Sequence, residues 1–181
     1  MRIISGSLKG RNINTYNMEG TRPTMDRVKE SVFAMINNKI PNSISLDLFC
    51  GSGSLGIEAI SNGSKYCYFN DFNKIVINKL KETINKFKLE DKCYLTNMDY
   101  NQALKYYQDR NIKLDLVFLD PPYKNLVIDS ILNILDEYQL LNKNALVICE
   151  YSTNINNKNN NYELIKNKRY GDKYINIYKY Q

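Results

Sequence analysis

The sequence predicts an α/β fold, in which a mostly parallel seven-stranded sheet carries helices on both faces and finishes in an antiparallel hairpin. Five apolar, strand-like runs alternate with helical segments between residues 44 and 151, which indicates parallel strands joined by right-handed crossovers. Two further strand-like runs surround Gly171 and Asp172, the pattern of a hairpin. The 181 residues fit one domain, with an N-terminal extension over 1–43 and a core over 44–181.

The extension is predicted to form a small hairpin followed by a helix. Two short runs, RIIS and RNINTY, are separated by Gly6 and Gly10, which favour turns. In the next segment, TRPTMDRVKESVFAMINN, Pro23 disfavours helix before it and Thr24 can cap the helix that follows. Apolar residues then recur at helical spacing, so one face of this helix is expected to pack on the core.

The core elements are predicted in a regular order. Strands are expected over residues 44–50, 66–71, 93–97, 114–120 and 145–151. Helices are expected over residues 53–62, 73–87, 100–108 and 126–139. The asparagine-rich residues 154–161 predict a loop, to which no function is assigned. Ligands of such sheets bind beyond the carboxyl ends of the strands, where the strand order reverses, so functional residues are expected there.

Composition limits the possible chemistry. The chain contains no histidine, which excludes Ser-His and Cys-His nucleophile pairs and histidine-ligated metals, and no metal site is predicted. Its four cysteines form no C-x-x-C pair and are expected to be buried free thiols. No apolar run approaches the roughly 18 residues of a membrane span, and the N-terminus lacks a secretory h-region. We therefore expect a cytoplasmic protein.

The net charge of +6 is unevenly distributed. Residues 1–45 carry seven basic and three acidic residues, and residues 151–181 carry six basic and two acidic residues, so each end has a net charge of +4. Residues 46–150 carry twelve basic and fourteen acidic residues. Two basic ends around a near-neutral core predict a surface for polyanions, although the same charge also serves solubility.

A glycine-rich turn follows the first core strand. Gly51 and Gly53 allow tight turning and close approach of the backbone to a ligand, and Gly56 allows close packing of helix on strand. Asp47 lies inside that strand, where a carboxylate needs a partner, such as a ligand ammonium group bound directly or through water. Asp71 ends the next strand, twenty residues after Gly51, in position for ribose hydroxyls.

The third strand adds a residue for a base. Asp99 can reach an adenine amino group, with Met98 against the ring. Adenosine joined to a cationic amino acid describes S-adenosylmethionine, which is the predicted cofactor. The predicted binding set also includes the two aromatic residues Phe49 and Phe72. Each acid has a structural alternative: Asp47 as a strand-end hydrogen-bonding residue, and Asp71 and Asp99 as helix caps.

The segment DPPY follows the fourth strand, which is expected to lie beside the first. Asp120 and the carbonyl of Pro121 can accept both hydrogens of an aromatic exocyclic amine and favour a tetrahedral nitrogen that points at a methyl donor. Pro121 and Pro122 fix the backbone and donate no competing N–H. Tyr123 offers a ring on which a flipped base can stack. The alternative is a turn that only terminates the strand.

Together these residues resemble the class I S-adenosylmethionine-dependent methyltransferases, which have a Rossmann-like fold, and DPPY is similar to the motif of enzymes that methylate exocyclic or amide nitrogens. The segments TRPTMDRVKESVF and KRYGDKYINIY look like those of RsmD-type small-subunit rRNA guanine-N2 methyltransferases. This resemblance implies methyl transfer to a guanine 2-amino group of 16S rRNA on an assembling small subunit. We expect the protein to be a monomer. The resemblance also implies that Arg22, Thr24 and Arg27 contact RNA or close over the site, unless they form only a turn and a capped helix.

Other functions use similar residues. An adenine-N6 methyltransferase acting on DNA or RNA would need the same acceptor geometry, but the chain lacks an insertion for reading a DNA sequence. A protein-glutamine methyltransferase would more typically carry Asn at position 120. A nicotinamide-dependent oxidoreductase would need an acid or base near the hydride, and a nucleic-acid-binding module without catalysis would bind RNA but transfer no methyl group.

Overall fold

The computed structural model of the chain describes residues 1–13, 23–122, 127–152 and 159–181, with residues 23–25 described as backbone only. The helices are α1 (Pro23–Ile36), α2 (Ser54–Ser61), α3 (Lys74–Phe87), α4 (Tyr100–Asp109) and α5 (Ile128–Glu137). The strands are β1 (Ile44–Asp47), β2 (Tyr66–Asn70), β3 (Cys93–Thr96), β4 (Leu114–Leu119), β5 (Leu141–Tyr151), β6 (Tyr162–Tyr170) and β7 (Lys173–Tyr180).

All seven strands form one sheet in the order β3-β2-β1-β4-β5-β7-β6. Strands β1 to β5 pair in parallel, whereas β7 is antiparallel to both β5 and β6. The predicted fold class is confirmed, including the C-terminal hairpin and the position of the fourth strand beside the first. Strand order reverses between β1 and β4, so the carboxyl ends of these two strands border the crevice in which ligands of such sheets bind.

Helices cover both faces of the sheet. On one face, α4 and α5 pack through residues such as Leu104 and Leu132 against alternate positions of β1, β4 and β5. On the other face, α1 packs against β4, β5 and β7, and α2 and α3 pack against β2 and β3. The four cysteines are buried free thiols, as predicted. Among the described residues, no helix is both long and apolar enough to cross a membrane.

The predicted N-terminal hairpin is confirmed over residues 1–13. Arg2 and Asn12 form an isolated antiparallel bridge, and the Ile3 amide donates to the Arg11 carbonyl at 3.0 Å. Residues 14–16, which complete the second predicted run, lie outside the described residues. The side chains of Ile3, Leu8 and Ile13 are buried with those of α2 and α3, so the hairpin adds to the core on that face.

Three predicted boundaries were wrong. Strand β1 ends at Asp47 instead of residue 50, because the following residues already turn toward the glycine segment. Strand β5 begins at Leu141 instead of residue 145, because Leu141 already pairs with Leu114, before a register shift. The polar residues 142–144 interrupt the apolar run, so the sequence did not indicate this earlier start. Helix α1 begins at Pro23, so Thr24 lies in its first turn and does not cap it. Proline suits that position because the first helical N–H needs no partner.

A buried ion pair connects α1 to α2. Lys29 Nζ lies 3.0 Å from Glu58 Oε2, and the two side chains are 5% and 0% exposed. The same ammonium group donates to the Arg2 carbonyl at 2.8 Å and to Ser54 Oγ at 3.0 Å. Burying two charges costs free energy unless their hydrogen bonds are complete, so this lysine holds three segments in one geometry.

Backbone donors from the N-terminal hairpin complete the environment of Glu58. Its carboxylate accepts hydrogen bonds from the amides of Ile4 and Ser5 at 3.0 and 2.8 Å, and from Ser5 Oγ at 3.0 Å. Several donors share one charge, which is the condition under which a buried carboxylate is tolerated. The hairpin, α1 and α2 are therefore held together by one polar cluster.

Replacing Lys29 by methionine leaves the Glu58 carboxylate buried without its cation. We expect Lys29→Met to lower the free energy of unfolding by about 3–5 kcal/mol in urea denaturation. The matched control is Lys79→Met, because Lys79 pairs with Glu82 at 3.0 Å with both side chains exposed. The control should change stability by less than about 1 kcal/mol. Similar losses in the two variants would show that the buried pair contributes nothing beyond a surface pair.

Candidate active site

The glycine turn lies between the end of β1 and the start of α2. Gly51 and Gly53 adopt positive φ angles of 50° and 75°, which favour glycine. A Cβ atom built on Gly51 meets no atom within 4 Å, so its exposed side is open to a ligand. A Cβ atom on Gly56 would lie 2.2 Å from the Phe69 ring. The expectation that Gly56 permits close packing of helix on strand is therefore confirmed.

Asp47 is buried, with 2% of its surface exposed, and its Oδ2 accepts a hydrogen bond from the Gly56 amide at 2.9 Å. Burial raises the pKa of Asp47 to about 7; the Gly56 bond opposes this rise, and the carboxylates of Asp120 and Asp71 add to it. The structural alternative is confirmed, since the carboxylate joins β1 to the start of α2. Its contact with a ligand ammonium group stays a prediction.

Asp71 holds the glycine turn from the neighbouring strand. Its Oδ2 accepts a hydrogen bond from the Gly51 amide at 3.1 Å, and its Oδ1 accepts one from the Asn73 amide at 2.9 Å. The alternative that Asp71 caps the following helix was wrong, because Asn73 is the N-cap of α3 and accepts from the Ile75 amide at 2.9 Å. The contact of Asp71 with ribose stays a prediction.

A cavity of about 140 Å³ opens at the carboxyl ends of β1, β2 and β3. It joins four predicted cofactor residues to the two prolines of the DPPY segment and to three residues that were not predicted. The predicted residues are Phe49, Phe72, Met98, Asp99, Pro121 and Pro122. The unpredicted residues are Asn70, Tyr100 and Val127. Phe72 is 61% exposed beside the cavity.

Asn70 fixes the wall of this cavity. Its Nδ2 donates to the carbonyls of Leu48 and Met98 at 3.3 and 3.1 Å, and its Oδ1 accepts from Thr96 Oγ1 at 2.9 Å. This buried amide therefore connects the ends of β1, β2 and β3. The sequence contains one signal that could have identified Asn70: a polar residue ends an apolar strand directly before Asp71.

Asp99 caps a helix and also lines the cavity. It is the N-cap of α4, and its Oδ1 accepts from the Asn101 amide at 2.9 Å, so the capping alternative is confirmed. Asp99 also lines the cavity beside Met98 and is exposed. The cap fixes the orientation of the carboxylate, and contact with an adenine amino group stays a prediction.

Asp120 follows β4 directly and lies across the strand reversal from the glycine turn, because Phe118 pairs with Asp47. Its side chain is exposed to the crevice, although the surrounding protein still removes part of its hydration. This desolvation and the neighbouring Glu150 carboxylate raise the pKa of Asp120, whereas the Lys173 ammonium lowers it. Tyr123 lies outside the described residues.

An ion pair that sequence reasoning missed stands next to Asp120. Glu150 on β5 and Lys173 on β7 are bonded to each other, with side chains 19% and 42% exposed. Leu119 pairs with Cys149, so the next positions along these parallel strands, Asp120 and Glu150, are also neighbours. The pairing of β4, β5 and β7 brings these charges together, and only that register reveals their proximity.

The predicted RNA-contacting residues are less completely described. Arg22 lies outside the described residues, and Thr24 is described only as backbone in the first turn of α1. Arg27 is exposed on α1. Their contacts with RNA therefore stay predictions.

A family model described as conserved hypothetical protein 95 matches residues 1–179. The chain belongs to this family. One relative, the ribosomal RNA small subunit methyltransferase D of Haemophilus influenzae, is 38% identical over 151 residues, which make up 83% of this chain and 78% of that protein. The predicted resemblance to RsmD-type proteins is thereby confirmed.

The fold of the chain is also similar to solved structures. A candidate methyltransferase of Escherichia coli, yhhF, matches with a TM-score of 0.89 at 26% identity, covering 100% of this chain and 98% of that one. A candidate methyltransferase complexed with SAH, SMU.776, matches with a TM-score of 0.67 at 14% identity, covering 81% of this chain and 49% of that one. The second likeness concerns the fold alone. The predicted Rossmann-like methyltransferase fold is confirmed.

The pKa of Asp47 predicts how stability depends on pH. Between its ordinary pKa of 3.8 and about 7, the folded state keeps a proton that the unfolded state has lost, so this group makes the protein less stable as pH rises. Asp47→Asn can keep an acceptor for the Gly56 amide without the charge. We expect this variant to raise the free energy of unfolding by roughly 1–3 kcal/mol at pH 8 and by much less near pH 4.

Urea denaturation at both pH values measures this difference. The control is Asp47→Ala, which removes the charge and the acceptor together and should therefore be less stable than Asp47→Asn at both pH values. If Asp47→Asn gave the same change at pH 4 and pH 8, the elevated pKa would be disproved.

Proposed function

We propose that this protein transfers a methyl group from S-adenosylmethionine to the exocyclic N2 of a guanine in small-subunit rRNA. One observation supports the proposal: at the strand reversal between β1 and β4, the predicted cofactor residues Phe49, Phe72, Met98 and Asp99 line the same cavity as Pro121 and Pro122 of the DPPY segment. The name of the Haemophilus influenzae relative supports the substrate, and the SAH complex of a protein with the same fold supports the cofactor.

The described residues fit S-adenosylmethionine. The open space beside Gly51 would admit the amino acid portion of the cofactor, and the Asp71 carboxylate beside it would accept hydrogen bonds from ribose. Adenine would lie in the cavity between Phe72 and Met98, with Asp99 near its amino group. Covering the exposed Phe72 ring would remove apolar surface from water, which favours binding. When bound, the cofactor supplies an electrophilic methyl group.

The protein's main chemical task is to make an aromatic amine nucleophilic. Its nitrogen lone pair is delocalised into the base, so the Asp120 carboxylate and the Pro121 carbonyl would accept its two hydrogens and favour a tetrahedral nitrogen. Asp120 must be ionised to accept in this way; desolvation and the Glu150 carboxylate raise its pKa, and the Lys173 ammonium opposes that rise. The nitrogen becomes acidic once methylated, and Asp120 can then accept its proton. No histidine is required.

The RNA would approach from the side of the N-terminal extension. We propose that Arg22, Thr24 and Arg27 contact RNA there and that Tyr123 stacks the flipped guanine. The proposed substrate is 16S rRNA in an assembling small subunit, methylated by a monomeric, single-domain enzyme in the cytoplasm. Such a particle offers splayed bases and defined shapes, which suit a short chain without an insertion for reading sequence.

The nucleoside product tests this function directly. Small ribosomal subunits from a strain that lacks the enzyme are incubated with the protein and labelled S-adenosylmethionine, then digested to nucleosides for mass spectrometry. We expect label in N2-methylguanosine. Label in N6-methyladenosine would refute the guanine assignment, because the same two acceptors also suit an adenine amine. Tight NAD binding without S-adenosylmethionine binding in calorimetry would refute the methyltransferase assignment itself.

A further inference from the structure

Helix α1 and the C-terminal hairpin lie side by side. Helix α1 shares a buried cluster with the C-terminal hairpin, in which Val32 and Phe33 pack with Ile175 and Ile177. The Tyr170 hydroxyl at the end of β6 donates to Ser31 Oγ on α1. Helix α1 and the C-terminal hairpin therefore meet on one face of the sheet, and they belong to the two sequence ranges, 1–45 and 151–181, that each carry a net charge of +4.

Strand β6 presents lysines on that face. Lys166 pairs with Ile177 and Lys168 pairs with Ile175, and paired residues point to the same side of a sheet. Since both isoleucines are buried under α1, the two lysines lie on the α1 side, about 7 Å apart along the strand. Residues 163–169 are all exposed, because β6 is the last strand of the sheet.

The lysine row points toward the candidate active site. Strand β6 runs in the same direction as β5, since both are antiparallel to β7, so it ends at the carboxyl edge of the sheet. The turn after β6 leads directly into Lys173, which is bonded to Glu150 beside Asp120. A polyanion that follows β6 along the α1 side would therefore reach Asp120 of the DPPY segment.

We propose that Lys166 and Lys168 on the α1 side of β6 bind the phosphate backbone of the RNA whose guanine enters the site at Asp120. This inference rests on the proposed function and adds a second RNA-contacting element to the N-terminal segment. A strand that neutralises phosphates supplies affinity and orientation without reading sequence. The competing explanation is that lysines on an edge strand only prevent pairing with another chain.

A double variant that removes both lysine charges separates the two explanations. Lys166→Gln/Lys168→Gln is compared with Lys65→Gln/Lys81→Gln, which removes the same charge from exposed positions on other parts of the surface. Binding of in vitro transcribed 16S rRNA is measured by fluorescence anisotropy over a salt series. We expect the β6 variant to bind about tenfold more weakly at low salt, with the slope of log K against log salt reduced by about 1.5. Calorimetry should find S-adenosylmethionine affinity unchanged.

The outcomes are distinguishable. Equal affinity and equal slope for the β6 variant and the control variant would overturn the β6 proposal, while methyl transfer by the wild-type protein would leave the proposed function intact. A β6 variant that forms dimers in light scattering and keeps the wild-type salt slope would favour the edge-protection explanation instead. A wild-type protein that binds no rRNA and transfers no methyl group would overturn both proposals.

Discussion

The buried pair between Lys29 and Glu58 is the interaction on which the arrangement of the protein depends. Two charges lie out of water, and their cost is offset because backbone amides of the hairpin, the Arg2 carbonyl and the Ser54 hydroxyl complete their hydrogen bonds. Ser54 begins α2 directly after the glycine turn. The pair therefore fixes the N-terminal extension against the turn proposed to bind the cofactor. Because α1 also packs on the C-terminal hairpin, the hairpin is held in the same arrangement.

Acidic residues at the carboxyl ends of the strands combine structural and functional roles. Asp47, Asp71 and Asp99 each accept a backbone amide, from Gly56, Gly51 and Asn101 respectively. A carboxylate oriented by the backbone is already positioned for a ligand and loses little entropy on binding. For Asp47 and Asp99, structural and ligand-binding interpretations are therefore compatible. For Asp120, neighbouring charges affect the pKa instead: Glu150 raises it and Lys173 lowers it.

Sequence reasoning predicted the order of elements because apolar runs and glycine turns are local signals. It missed what depends on strand register. Lys29 looks like a solvated residue of an amphipathic helix until α2 brings Glu58 to it. The Glu150–Lys173 pair requires β5 and β7 to be neighbours in an order that the chain does not follow. Asn70 was overlooked because its partners lie on two other strand ends. Such pairs are products of tertiary structure, which composition and periodicity do not encode locally.

The role of Asp120 as acceptor for the amine is the central claim, and a rate measurement with Asp120→Ala tests it most directly. Loss of one oriented acceptor should lower methyl transfer to small subunits about 100-fold or more. S-adenosylmethionine affinity in calorimetry should be unchanged, and Asp109→Ala, at an exposed site on α4, should keep full activity. Wild-type turnover in Asp120→Ala would contradict the account.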